Sequence, residues 1–226
     1  MPKPVAVFDL DGTLVDTAPD LFAALDVVLR ENGYESVAPA DEMGIIGHGS
    51  KAMIEYALTA QGVDIDPERI KPMHLRFLDY YEAHIADGSR PFPGVVEALD
   101  RLAGAGAALA VCTNKYEHLS RQLLDALGLS GRFAAIVGAD TLGVRKPDPA
   151  HILGTIERAG GDLTRAVMVG DSRTDIDAAK AATVPVIAVD FGYTDTPVAQ
   201  LSPDHVISQY EELYALAAPR LGLAGA

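Results

Sequence analysis

The chain has a single cysteine, Cys112, so it can form no internal disulfide. A lone thiol fits a reducing compartment, and the expected location is the cytoplasm. No apolar stretch approaches the roughly 20 residues that a bilayer-spanning helix needs. Residues 1–15 carry no signal-peptide pattern: Lys3 precedes a short apolar run that stops at Asp9 and Asp11. Positive charge is also scarce. Lysine and arginine total 18 against 32 aspartates and glutamates, a formal net charge of −14, and there is no basic run. Such a surface excludes nucleic acid and anionic membrane as expected partners. It disfavours anionic small molecules too, so a phosphate-handling site here requires a metal ion and a few well-placed cations. Low-complexity tracts and repeats are absent.

What remains suits a folded enzyme-sized chain. Of 226 residues, 49% are hydrophobic, enough for one large domain or a core carrying a smaller insertion. Five short apolar runs, at residues 5–8, 108–112, 133–137, 166–169 and 184–189, read as strands. They are continuous rather than alternating, as expected for strands covered on both faces. Helical patterns at 93–105, 117–127, 149–159 and 174–182 separate the later ones. Strands alternating with helices imply βαβ units and a parallel, Rossmann-like α/β sheet.

One interval breaks the rhythm. Residues 16–90 contain no convincing strand and read as helices. Thr17 and Asp20 have capping-box spacing and Pro19 sits near the first helical position. Leu21, Leu25, Val28 and Leu29 make a stripe that ends at Gly33, and 50–61 and 67–86 follow as two more helices. The expected organisation is a core of residues 1–15 and 91–226 with an inserted helical domain over 16–90, entered and left near Asp16 and Pro91. A last helix starts with the capping-box pair Ser208 and Glu211.

Polar residues cluster just after the apolar runs. Asp9-Leu10-Asp11-Gly12-Thr13 closes the first, Thr113-Asn114-Lys115 the second, and Gly170-Asp171-Ser172-Arg173-Thr174-Asp175 the fourth; Lys146-Pro147-Asp148-Pro149 lies in the loop after the third. Open parallel sheets bind ligands beyond the carboxyl ends of their strands, where strand order reverses. If the fourth strand returns beside the first, that crevice lies between Asp9 and Asp171. Several carboxylates there would force protonation unless a cation intervened, and Mg²⁺ takes hard oxygen ligands while leaving positions for water and phosphate. Asp9 and Asp171 are the expected ligands, with the Asp11 backbone carbonyl as a third. Asp175 either ligates through water or holds another group. Lys146 can neutralise Asp9 and a phosphate, Thr113 offers a hydroxyl, and Gly12 permits close backbone approach to an anion. Asp9 is then a nucleophile that splits the reaction through an aspartyl-phosphate, and Asp11 a general acid and base.

Each fragment has a bland reading. Asp-x-Asp-Gly-Thr can be an ordinary turn, Asp175 can simply favour a helix start, and most lysines are solvated. Order and placement together make coincidence improbable. His48, a candidate substrate contact from the insertion, can equally sit in a solvated loop, the slightly favoured reading, and Lys51 has the same status. Arg173 either faces the phosphate or pairs with an acid. Tyr80 and Tyr81 are expected to pack on their helix, and Cys112 to be an inert core thiol.

These four motifs, running from Phe8 to Asp16, from Thr113 to Lys115, from Lys146 to Pro149 and from Val169 to Asp175, resemble those of the haloacid dehalogenase superfamily, and the resemblance covers nearly the whole chain. It implies Asp9 as nucleophile, Asp11 as acid and base, Thr113 and Lys146 as phosphate ligands, Asp171 as metal ligand and Mg²⁺ as cofactor. Asn114, Gly12 and Thr13 join the expected substrate-binding set, with Ser172, Arg173 and Asp175 in support. The insertion resembles a small α-helical cap that closes over the core. Gly170 to Ile176 with residues 178–182, Phe191-Gly192-Tyr193 and Ile46-Gly47-His48-Gly49 are similar to phosphoglycolate phosphatases, although Tyr116 stands where many of these carry proline. The expected substrate is a small phosphorylated metabolite, 2-phosphoglycolate first, handled by a monomer or homodimer. The competing readings are a sugar phosphomutase or sugar-phosphate phosphatase with the same motifs, and a non-catalytic phosphometabolite-binding protein. A dehalogenase has no role for Asp11, and a phosphonate hydrolase would need a Schiff-base lysine that neither Lys51 nor Lys71 suggests.

Overall fold

The computed structural model describes residues 2–37 and 43–223. Its main sheet has six parallel strands: β1 (Lys3–Phe8), β4 (Ala108–Cys112), β5 (Ala135–Val137), β6 (Gly161–Gly170), β7 (Val186–Val189) and β8 (His205–Ile207). Their order is β5-β4-β1-β6-β7-β8. The chain winds outward from β1 through β4 and β5, then returns to lay β6 on the other side of β1. The reversal point is therefore at the end of β1, as the motif positions require.

Alternate residues of each strand enter two separate cores. Ala6, Phe8, Leu109, Val111, Val167 and Val169 face one side, where α4 (Val95–Gly104), α5 (Glu117–Ala126) and α8 (Leu213–Leu221) cover them. Val5, Val7, Ala110, Cys112 and Met168 face the other, covered by α6 (Pro149–Arg158) and α7 (Arg173–Ala181). Burial on both faces explains why these strands read as unbroken apolar runs. Cys112 is fully buried and its thiol is pushed up to about 11 by desolvation, so it stays protonated.

Between β1 and β4 the chain makes its helical excursion. It leaves through β2 (Val15–Asp16), forms α1 (Ala18–Glu31), α2 (Ser50–Ala60) and α3 (Pro67–Ala83), and returns through β3 (Arg90–Pro91). β2 and β3 pair antiparallel, Val15 with Pro91 and Asp16 with Arg90. The three helices pack on one another and bury Leu25, Ile54, Leu58, Ile70 and Phe77. Among the described residues no helix is long and apolar enough to cross a membrane.

Two capping readings need correction. Thr17 is the N-cap of α1 but makes no side-chain cap bond. Its expected partner Asp20 is taken by the returning segment, accepting from Gly88 N at 2.7 Å, Ser89 N at 2.8 Å and Ser89 Oγ at 2.5 Å. Three donors outcompete the single amide a capping box would satisfy. Ser208 likewise donates to Asp190 Oδ2 at 2.7 Å, and a turn of 3₁₀ helix at Tyr210–Glu212 precedes α8. Strand β8 has three residues and, among the described residues, pairs with β7 alone, too short to give a sequence signal.

Candidate active site

Asp9 follows β1 directly, and its N–H donates to Val169 O at 2.9 Å, extending the ladder by one bond. The chain then turns sharply. Leu14 N and Val15 N both donate to Leu10 O at 3.0 Å, and Gly12 sits at φ +79°. A Cβ on Gly12 would stand 2.4 Å from Asp171 Oδ2, so the glycine satisfies a conformational and a steric demand together.

Three carboxylates meet beyond β1 and β6. Asp9, Asp171 and Asp175 each place an oxygen within 4.8 Å of the others. Lys146 Nζ reaches into the group, 2.8 Å from Asp9 Oδ1 and 2.6 Å from Asp175 Oδ1. Asp171 accepts from Thr13 Oγ1 at 3.1 Å and Tyr193 N at 2.6 Å. Asp175 reaches back to Ser172 N at 3.0 Å and takes the Ser172 hydroxyl at 2.5 Å, a capping box at the start of α7. Asp171 and Asp175 are buried, whereas the Asp9 side chain keeps 13% exposure. Asp9 is thus the carboxylate through which the cluster meets solvent.

One ammonium faces three carboxylates, leaving a formal excess of two negative charges. Burial pushes the Asp9 carboxyl up to about 6, although Lys146 pulls it down. Desolvation, followed by the Asp175 and Asp9 charges, holds Asp171 well above the usual carboxylate range. A divalent cation would restore neutrality, and hard oxygen donors suit Mg²⁺. The residues present therefore fit the ion that the motifs imply.

Lys146 is fixed from behind. Its N–H donates to His151 Nδ1 at 3.2 Å, and His151 Nε2 bonds Gly138 O at 3.1 Å. Burial, then the Lys146 charge, lowers His151 to about 4 and keeps the ring neutral. Asn114 Nδ2 donates to Lys146 O at 3.0 Å, so this amide braces the lysine loop. The Lys146–Pro147 peptide is cis. Thr113 is buried, and its hydroxyl oxygen accepts from Lys115 N at 3.2 Å, leaving the hydroxyl proton to donate elsewhere. Thr13, expected to contact substrate, spends its hydroxyl on Asp171.

Asp11 is the surprise of the first motif. Both of its oxygens accept from Lys115 Nζ, at 3.0 and 2.9 Å, and the lysine lies over the Tyr81 ring at 4.6 Å. Lys115 stood in the sequence motif without a side-chain role. Its spacing could not reveal that its ammonium would fold back onto Asp11.

Three candidates stand apart from the cluster. His48 Nε2 lies 3.5 Å from Asp195 Oδ2 with both side chains more than half exposed. Lys51 pairs with Glu55 on the surface of α2 at 3.5 Å. Arg173 is exposed at the start of α7 and, among the described residues, makes no hydrogen bond or ion pair. Tyr80 stacks on His84, as a packing residue would. Tyr116 adopts φ −59° and ψ 142°, a conformation natural to proline, so the loop shape does not depend on that residue.

The model of the haloacid dehalogenase-like hydrolases matches residues 6–189, spanning the four motifs that run from Phe8 to Asp175. The chain belongs to that family. It is 51% identical over 221 residues to a phosphoglycolate phosphatase of Mesorhizobium japonicum, covering 98% of this chain and 97% of the relative. It is 49% identical over 211 residues to the phosphoglycolate phosphatase of Agrobacterium fabrum, covering 93% and 91%. A crystal structure of a predicted phosphoglycolate phosphatase from Haemophilus somnus superposes with a TM-score of 0.88 at 29% identity, over 95% of this chain and 97% of that one. By family and relatives this haloacid dehalogenase-like protein is an enzyme, a phosphoric monoester hydrolase.

Proposed function

We propose that this hydrolase is a Mg²⁺-dependent phosphatase of 2-phosphoglycolate that works through a phosphorylated Asp9. The observation that carries the reading is the setting of Asp9: partly open to solvent, 2.8 Å from Lys146, and backed by Asp171 and Asp175. The substrate comes from the curated relatives, which bear that name at up to 51% identity.

In this account an Asp9 oxygen attacks phosphorus as the ester P–O bond breaks, and Asp11 gives its proton to the departing alkoxide. Water then attacks phosphorus, Asp11 takes the water's proton, and the bond to Asp9 breaks to release phosphate. Lys146 offsets charge on Asp9 and the phosphate, and the free Thr113 hydroxyl proton donates to a phosphate oxygen. Asp9, Asp171 and the Asp11 carbonyl hold the metal, while Lys146 and Ser172 restrain Asp175. The bound cation supplies positive charge that draws nucleophile and phosphate together. Residues 16–90 act as a cap on a core of 1–15 and 91–226. The β2–β3 pair is the passage between the two, and closure would exclude water from the crevice. The lone buried thiol agrees with action in a reducing cytoplasm.

The test is phosphate release, with and without Mg²⁺, from 2-phosphoglycolate, several sugar phosphates, nucleoside monophosphates and an aryl phosphate. Strong preference for 2-phosphoglycolate, lost on chelation, supports the reading. Broad release without preference removes the substrate, and isomerisation of a sugar phosphate without release replaces the reaction.

A further inference from the structure

The Lys115–Asp11 pair is the one close ion pair at the site that the reaction scheme leaves unused. Lys115 has a 6% exposed side chain, against 20% for Asp11, and it donates to both carboxylate oxygens. Its position is not adventitious. The loop after β4 is anchored by Ala139 N donating to Lys115 O at 3.0 Å and by Lys115 N donating to Thr113 Oγ1 at 3.2 Å. Gly138 packs so tightly beneath it that a Cβ there would stand 2.7 Å from Lys115 O and 2.3 Å from Glu117 N. On the other side the Tyr81 ring, from α3, covers the ammonium at 4.6 Å. Burial works against the ammonium's charge, but Asp11 and Tyr81 beside it more than offset that desolvation and hold the lysine's affinity for the proton above the ordinary value.

We propose that Lys115 is the positioning residue for Asp11, holding its carboxyl group in the orientation from which it protonates the leaving alcohol. This rests on the phosphatase reading above. A carboxyl side chain has two torsions to fix, and two hydrogen bonds from one rigidly mounted ammonium fix both. When Asp11 carries its proton, one oxygen donates toward the leaving oxygen while the other still accepts from Lys115. After transfer both oxygens accept again. Tyr81 extends this control to the helical excursion, because a movement of α3 uncovers the ammonium and loosens its grip.

The leaving group reads out this role. An alkyl phosphate needs its departing oxygen protonated, whereas p-nitrophenyl phosphate expels a stable phenolate without help. The parameter kcat/KM reports steps up to the first irreversible one, so it isolates leaving-group departure from later attack by water. The experiment compares Lys115→Met and Lys115→Arg with wild type on 2-phosphoglycolate and p-nitrophenyl phosphate with Mg²⁺, alongside thermal unfolding. Expected for Lys115→Met is a loss of about 30-fold or more on the alkyl ester and less than about threefold on the aryl ester, a fraction of what general acids contribute. Lys115→Arg should restore most of the alkyl activity. Equal losses on both esters, or no loss on either, overturn the assignment and leave Lys115 a structural or idle group. If wild type hydrolyses neither ester in an Asp9-dependent way, the phosphatase reading fails and this inference fails with it.

Discussion

Asp171 is held from behind by the backbone of Tyr193, whose N–H donates to Oδ2 at 2.6 Å. That approach is possible only because Gly192 has no side chain. A Cβ there would stand 2.2 Å from the Asp171 Cβ and 2.5 Å from Gly12 O. Gly192→Ala should therefore displace Asp171 and the loop after β7 together. The expected result is a folded protein destabilised by about 1–3 kcal/mol, the usual cost of overpacking, with phosphatase activity reduced at least about tenfold. Denaturant unfolding and a phosphate-release assay check both halves.

Asp9→Asn separates chemistry from folding. If Asp9 is the nucleophile, as proposed, the substitution should lower kcat at least about a thousandfold. Stability should move the other way. A folded-state acid raised to about 6 favours its neutral form, so at pH 7.5 the ionised Asp9 opposes folding in metal-free protein. In chelator, the variant should melt at the same temperature as wild type or higher. A lower melting temperature would show that the Lys146 contact outweighs desolvation and the neighbouring carboxylates.

Mg²⁺ should raise the melting temperature of wild type, because a ligand that binds only the folded state stabilises it by mass action. Asp171→Asn should abolish that rise and the activity with it. Lys51→Ala, which removes an exposed pair with Glu55 on α2, should leave both intact. Differential scanning fluorimetry across a Mg²⁺ titration reads this without any substrate.

The strand ends carried the clearest sequence signals, for a physical reason. A buried parallel strand must be apolar throughout, so the first polar residues after each run mark its carboxyl end. Asp9, Thr113 and Asp171 all emerged this way. Hydrogen bonds between distant loops left no such trace. Thr13 and Tyr193 both serve Asp171 across more than twenty positions of chain, and Tyr193 also ties to Asp16 at the exit to the helices. Lys115 and His151 were missed because their partners are set by tertiary packing, and neither spacing nor periodicity encodes which way a side chain folds. The Thr17 and Ser208 capping boxes failed in the same manner, when better donors or acceptors arrived from elsewhere in the fold.

His151 gives the protein an acid-sensitive brace. An unfolded histidine takes its proton near pH 6.5, while the buried ring does so only near 4. Between those values the unfolded chain binds more protons, so the stability His151 contributes is intact above about pH 6.5 and declines as pH falls toward 4. His151→Gln should cost roughly 1–2 kcal/mol at pH 7.5 through weakened bonds to Lys146 N and Gly138 O. That gap should narrow at pH 5. Urea unfolding at the two pH values measures it, and a gap that widens in acid would contradict the neutral-ring assignment.

The central claim is that Asp9 carries the phosphoryl group during turnover. Rapid mixing of Mg²⁺-loaded enzyme with 2-phosphoglycolate, an acid quench and borohydride reduction would convert an acyl phosphate into homoserine at the modified position. Peptide mass spectrometry should find homoserine at position 9, only when substrate and Mg²⁺ are both present. Homoserine at another aspartate, or none during undiminished phosphate release, would contradict the account.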